Sequence, residues 1–119
     1  MPTLIQKPTV IEVEGNQPMM IQEYVGRVNS ATQSVSIARV VSQAGRIEPG
    51  KTPEFDEYSL VLMGTLRVES KDGAVDVNSG QAVIVRRGNW VRYSTPDVAE
   101  YIAICLPAFA PKMMNRDRN

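Results

Sequence analysis

From Ser34 to Leu106 the chain alternates apolar and polar residues with a period near two, and clusters of Gly, Pro, Asn and Asp interrupt it every few positions. Ser34 to Ser42 is the clearest run and predicts a strand. Val35, Ile37, Arg39 and Val41 share one face of it, and Ser36, Ala38, Val40 and Ser42 share the other. Alternation alone leaves open which face is interior. Gly45 and then Pro49-Gly50 end the run. Glu57 to Val68 predicts the next strand, bent at Gly64, and Lys71-Asp72-Gly73 predicts a hairpin turn before a return along Ala74 to Val77. Further strands are expected over Gln81 to Val85, Trp90 to Ser94 and Val98 to Leu106, with turns at Asn78-Ser79-Gly80, Arg87-Gly88-Asn89 and Thr95-Pro96-Asp97.

The ends are less regular. Thr9 to Glu14 alternates weakly and predicts a first strand, closed by Gly15-Asn16-Gln17-Pro18. The apolar spacing of Met19 to Val28 fits a short helix or an irregular edge strand, and its strand-like neighbours favour extended backbone. Lys112 to Asn119 is polar and is expected to fray. Short strands at regular spacing, with no convincing amphipathic helix, predict an all-β sandwich or small barrel.

Composition narrows the chemistry. The 119 residues suffice for one hydrophobic core and one domain. Thirteen Lys and Arg balance thirteen Asp and Glu, so no net field recruits nucleic acid or an anionic membrane. A lone Cys105 allows no internal disulfide, and with no signal-peptide pattern at the start a cytoplasmic setting is expected. No apolar run is long enough to cross a bilayer as a helix. The chain contains no His, which removes His-ligated zinc or iron, the Ser-His-Asp triad and the Cys-His dyad. Any chemistry falls to carboxylates, Tyr, Arg, Lys, Cys105 or backbone.

Glu57 is followed by six residues and then Gly64, Gly80 and Gly88 are spaced by seven residues, and a hairpin lies between the two groups. This pattern resembles the cupins, small jelly-roll barrels whose first motif is Gly-x5-His-x-His-x3–4-Glu-x6-Gly and whose second is Gly-x5-Pro-x-Gly-x2-His-x3-Asn. Phe55-Asp56-Glu57, Leu62-Met63-Gly64-Thr65-Leu66 and Ser94-Thr95-Pro96-Asp97 are similar to the His-poor, ethanolamine-utilisation-type cupins. The resemblance implies a single-domain double-stranded β-helix, the cupin jelly-roll barrel, as a homodimer. Residues 35–108 would form the barrel core, 1–34 an N-terminal extended or edge segment, and 109–119 a polar tail. Lys51 to Asp56 fills the segment of the two motif histidines, and Val91, Arg86 and Thr95 stand at the second-motif His, Pro and Asn. Of the family's metal ligands only Glu57 remains, and one carboxylate does not hold a catalytic transition metal. No metal and no other cofactor is expected.

The resemblance points Glu57 into the barrel, as an acid/base group or a ligand acceptor, or else as a structural carboxylate satisfied by backbone or an Arg. Tyr93 shares a face with Val91, and Ser59 shares one with Glu57. Tyr101 and Cys105 share a face with the small Ala103; Cys105 lacks an activating partner and reads as a buried small hydrophobe. Arg39 would join the site if its face were interior, and would otherwise be solvated or at a dimer contact. Asp56 and Tyr58 should point outward, Trp90, Arg92, Met19 and Met20 are placed on an outer sheet face, and Arg86-Arg87 at a solvated turn. The first reading is a metal-independent cupin that binds a small polar molecule, an organic acid or an amine, through Arg39, Glu57, Ser59, Val91, Tyr93, Tyr101 and Cys105. It would serve as a binding or accessory module in small-molecule catabolism. A second is a metal-independent isomerase or lyase with Glu57 as base and Tyr93 as acid. A third is a structural dimer module with a filled barrel. The sequence does not decide whether the protein is an enzyme. Neither nucleic acid nor membrane is expected as a partner.

Overall fold

The computed structural model describes residues 1–118, which form an almost entirely β structure. The strands in chain order are β1 (Thr9–Val13), β2 (Met19–Val25), β3 (Ser36–Ser42), β4 (Arg46–Ile47), β5 (Asp56–Met63), β6 (Thr65–Ser70), β7 (Gly73–Asn78), β8 (Ala82–Val85), β9 (Arg92–Thr95) and β10 (Ala99–Leu106). A single 3-10 turn spans Pro111–Met113. Among the described residues no helix is long and apolar enough to cross a membrane.

The strands pair antiparallel in two sheets, one of six in the order β1-β2-β3-β10-β5-β8 and one of four in the order β4-β9-β6-β7. The run from Glu57 to Val68, read from sequence as one bent strand, is divided between the sheets at Gly64. Gly64 has φ +77°, and a Cβ there would run into the Val98 carbonyl, so only glycine fits this crossing. Beyond it, Lys71-Asp72 makes the hairpin turn, with Ser70 opposite Gly73.

Alternation places one residue in two between the sheets. Val61, Leu66, Val68, Val77, Val85 and Val91 are buried there with Tyr93 and Tyr101, and Met19 and Val40 extend the cluster. Each such aliphatic side chain contributes about 1.5–3 kcal/mol by leaving water. Met19 is therefore interior, not on an outer face: it starts β2 opposite Ser42 and packs in the same buried cluster as Val40. On β3 the interior face is Ser36, Ala38, Val40 and Ser42; Ser36, Val40 and Ser42 are fully buried.

Arg46 ties the N-terminal hairpin to the barrel. Its guanidinium is 2% exposed and donates to the carbonyls of Val13, Glu14 and Gln17 and twice to Glu48 Oε2. The tail packs rather than frays. Phe55, Cys105 and Met114 form a second buried cluster with Phe109 and Met113 against it, and the rings of Phe55 and Phe109 meet edge to face at 5.9 Å. The backbone of Asp117 donates to the Gly50 carbonyl and its carboxylate accepts from Trp90 Nε1 at 2.9 Å. Polarity alone suggested a loose tail; Met113, Met114 and Phe109 supply the apolar contacts that fix it.

Candidate functional site

On β5 the side chains of Glu57, Ser59 and Val61 point inward, each at most 5% exposed, while Asp56 and Tyr58 pair outward with Arg87 and Arg86. β9 contributes Tyr93, and β10 contributes Tyr101 and Cys105. Together with β2 and β3 they enclose a cavity of about 340 Å³. Its wall is mostly apolar, with Met19, Ile21, Ala38, Val40 and Ala103. Glu12, Glu14 and Glu48 also line it, as do Phe109, Pro111, Met114 and Arg116 of the C-terminal segment. The barrel interior is open, which counts against the filled-barrel reading.

Lys51 dominates the polar part of this cavity. It lies between β4 and β5, where its backbone exchanges two 2.9 Å hydrogen bonds with Val91 and forms a bridge to Arg116. These contacts fix the Cα and send the side chain inward. Nζ donates to Glu57 Oε1 at 3.0 Å and sits 4.4 Å from the centre of the Tyr93 ring, a cation–π distance. Glu57 Oε2 accepts a long 3.5 Å bond from Ser59 Oγ. The pair is nearly enclosed, with 14% of the lysine and 7% of the glutamate side chain exposed. Taking two charges out of water roughly offsets their attraction, so such a pair is weak as a stabilising device.

Tyr93, Tyr101 and Cys105, the other polar groups around Glu57, are held in their neutral forms. Burial, and next the charge of Glu57, hold the Tyr93 phenol well above its ordinary value; the nearby Ser59 hydroxyl offsets only a little of this. No hydrogen bond of proper geometry reaches Tyr93 Oη, which is the buried side-chain polar atom left without a partner among the described residues. Burial and Glu57 likewise push the Tyr101 phenol up. The Cys105 thiol is pushed up to about 12, chiefly by burial and then by Glu57, against the weaker pull of Ser36 and Lys51. A thiol so held is a poor nucleophile and a poor ligand.

Glu57, Tyr93, Tyr101 and Cys105 thus line one cavity. Ser59 lies behind Glu57, and Val91 packs in the apolar core. Arg39 is a correction: its face is exterior, where it binds Glu100 at 2.7 Å and Gln22 at 2.7 Å, because Ser36, Ala38 and Val40 take the interior. The reading of the sequence missed Lys51. A signal was available, since Gly45, five residues and Lys51 reproduce the spacing from the first-motif glycine to its first histidine.

Known structures share this architecture. The EutQ protein of Clostridioides difficile superposes with a TM-score of 0.71 over 86% of this chain and 82% of its own, at 18% identity. The Streptomyces protein PAC13, solved with uridine, superposes with a TM-score of 0.77 over 97% of this chain and 88% of its own, at 15% identity. This chain is a cupin by fold. No family model matches it. Among curated proteins, the chain is 33% identical over 99 residues, 82% of its length, to 34% of the Myxococcus xanthus endoribonuclease YbeY. It is 32% identical over 57 residues, 48% of its length, to 36% of the C. difficile acetate kinase EutQ. The chain spans about a third of the length of each of these curated relatives.

A metal does not fit the residues present in this barrel. Lys51 and Pro53 stand at the first-motif histidines and Val91 at the second-motif histidine, so a cation occupies one ligand position and apolar groups two. Glu57 is already bonded to that cation. Among the described residues no group of three or more His, Cys, Asp or Glu is placed to hold a metal ion.

Proposed function

We propose that this domain binds a small oxygen-bearing molecule in its barrel, without a metal, as a binding or accessory module in small-molecule catabolism. The observation that carries the reading is Lys51. Its ammonium has three donors, makes one hydrogen bond, to Glu57, and faces a cavity large enough for a compact ligand. A carbonyl or hydroxyl oxygen is the natural acceptor for the other two. The apolar wall suits a hydrocarbon body.

Charge decides between the ligand classes expected from sequence. Five carboxylates line the cavity (Glu12, Glu14, Glu23, Glu48 and Glu57) against two cations, Lys51 and Arg116. Arg46 neutralises Glu48 from behind, and the balance still stays negative. That field favours an uncharged or amine-bearing ligand over an organic acid. It is equally unfavourable for phosphates, so the ribonuclease activity named for the Myxococcus protein is not carried over to this domain.

The acid/base reading comes second. The Tyr93 hydroxyl is without a partner and stays protonated in the same wall as Glu57, which suits a proton donor. Both oxygens of Glu57, however, are already engaged by Lys51 and Ser59, so it is poorly placed to take a proton directly from a ligand. Self-association belongs to the same proposal: Leu60, Leu62 and Ile84 leave an apolar patch on the outer face of the larger sheet.

The test is a thermal-shift and calorimetric panel of small aldehydes, ketones, alcohols, amines and carboxylic acids at fixed ionic strength. Uncharged carbonyl and hydroxyl compounds should raise the melting temperature more than acids of equal size. Lys51→Met should abolish the shift, and prior chelation should leave it unchanged. Binding that survives Lys51→Met, or that disappears with chelation, would sink the proposal.

A further inference from the structure

We propose that Lys51 forms a reversible iminium with an aldehyde or ketone bound in the barrel. The inference rests on the ligand-binding reading above and adds a covalent bond to it.

Four observations meet at one atom. Nζ of Lys51 faces the cavity, so a ligand carbonyl carbon can reach it. Glu57 Oε1 lies 3.0 Å away and can accept the proton that an ammonium must lose before it becomes a nucleophile. The wall beside the pair is largely aliphatic and aromatic, which limits the water that would hydrolyse the product. The other nucleophile of the cavity, Cys105, is held as a thiol and does not compete.

The step balances without a co-reactant. Lys51 passes one proton to Glu57. The amine lone pair forms a C–N bond to the carbonyl carbon, and the C=O π electrons move to oxygen. A proton shifts from nitrogen to that oxygen, giving a neutral carbinolamine. Glu57 then returns its proton to the hydroxyl, the C–O bond breaks, water leaves, and the nitrogen lone pair closes C=N. Ammonium plus carbonyl has become iminium plus water; nothing is oxidised or reduced. The cation at nitrogen and the carboxylate of Glu57 face each other at the end as at the start, so the ion pair of the resting site is also the ion pair of the product. This double use accounts for a lysine, rather than an apolar residue, opposite Glu57.

The test treats the full chain with butanal or cyclohexanone and sodium cyanoborohydride, and locates the reduced adduct by peptide mass spectrometry. Lys7, Lys71 and Lys112 are exposed and serve as internal controls. Adduct should form at Lys51 about tenfold faster than at any of these. Glu57→Gln should erase the preference, and Lys51→Arg, which keeps a cation opposite Glu57, should leave a folded protein without a cavity adduct. Modification confined to the exposed lysines would overturn the iminium. If the same carbonyls still raised the melting temperature without reductant, the binding reading would stand alone. If neither adduct nor shift appeared with any compound of the panel, the binding reading would fail as well.

Discussion

Arg46 and Lys51 lie five residues apart, on either side of the Pro49-Gly50 break, and both send a cation inward. They serve opposite ends. The Arg46 guanidinium is saturated, with Glu48 on one edge and the carbonyls of Val13, Glu14 and Gln17 on the other. It is packed so closely over the hairpin that a Cβ on Gly15 would lie 2.7 Å from its Nη1. Nothing is left for a ligand to bind. Lys51 has one carboxylate, the ring of Tyr93 with that of Phe55 farther off, and a cavity. A buried cation whose donors are all used has nothing to offer a ligand; one with donors to spare, beside a cavity, does. Residue type and depth do not separate the two, and the hydrogen-bond inventory does.

The comparison can be broken from either side. The largest effect should come from Arg46→Met. It orphans three carbonyls and a carboxylate at once and should cost about 3–5 kcal/mol in urea unfolding. Adding Glu48→Gln should recover little of that, because the carbonyls stay unpaired. Lys51→Met should cost less, about 1–3 kcal/mol, for the buried Glu57 left alone. Here the second substitution should work: Lys51→Met with Glu57→Leu should return to within about 1 kcal/mol of the parent while ligand binding stays lost. Recovery in the Arg46 pair, or none in the Lys51 pair, would reverse the assignment of scaffold and site.

A smaller effect sharpens the picture of the cavity wall. Cys105, Tyr93 and Tyr101 have folded-state values raised above those of the open chain. A raised acid contributes stability that is complete below its unfolded value and is lost as pH climbs toward the folded one. For Cys105, with its folded value at about 12, the loss should begin near pH 9 and reach about 1 kcal/mol by pH 10. The phenols add to it above that. Urea melts at pH 8, 9 and 10 check this, and Cys105→Ala should flatten the first part of the decline. A curve that is level to pH 10 would mean that the thiol is not shielded.

Much of the barrel was legible because strand alternation and turn glycines act locally. Gly64, Gly73, Gly80 and Gly88 all adopt the positive φ that their places in turns require. Which face of a strand is interior was not legible where both faces carry apolar side chains. Val40 and Val41 are neighbours on β3, and only the register against β2 and β10 puts Arg39 outside. The tail was misread because its few apolar residues are spread among polar ones and find Phe55 and Cys105 only in the folded chain. At the site, Glu57, Tyr93, Tyr101 and Cys105 could be named because they sit on regular strands whose period fixes their direction. Lys51 sits on an irregular segment between Pro49-Gly50 and Pro53, where no period applies, and its inward direction comes from two backbone bonds to Val91.

Lys51 carries its charge on a covalent tether. A cation built into the polypeptide is delivered by translation, one per chain, already in place when the barrel closes. It does not have to be drawn from a cellular pool, cannot be captured by a competing chelator, and is never exchanged for the wrong element. The supply and the occupancy of the positive centre are therefore settled by the gene rather than by the composition of the medium.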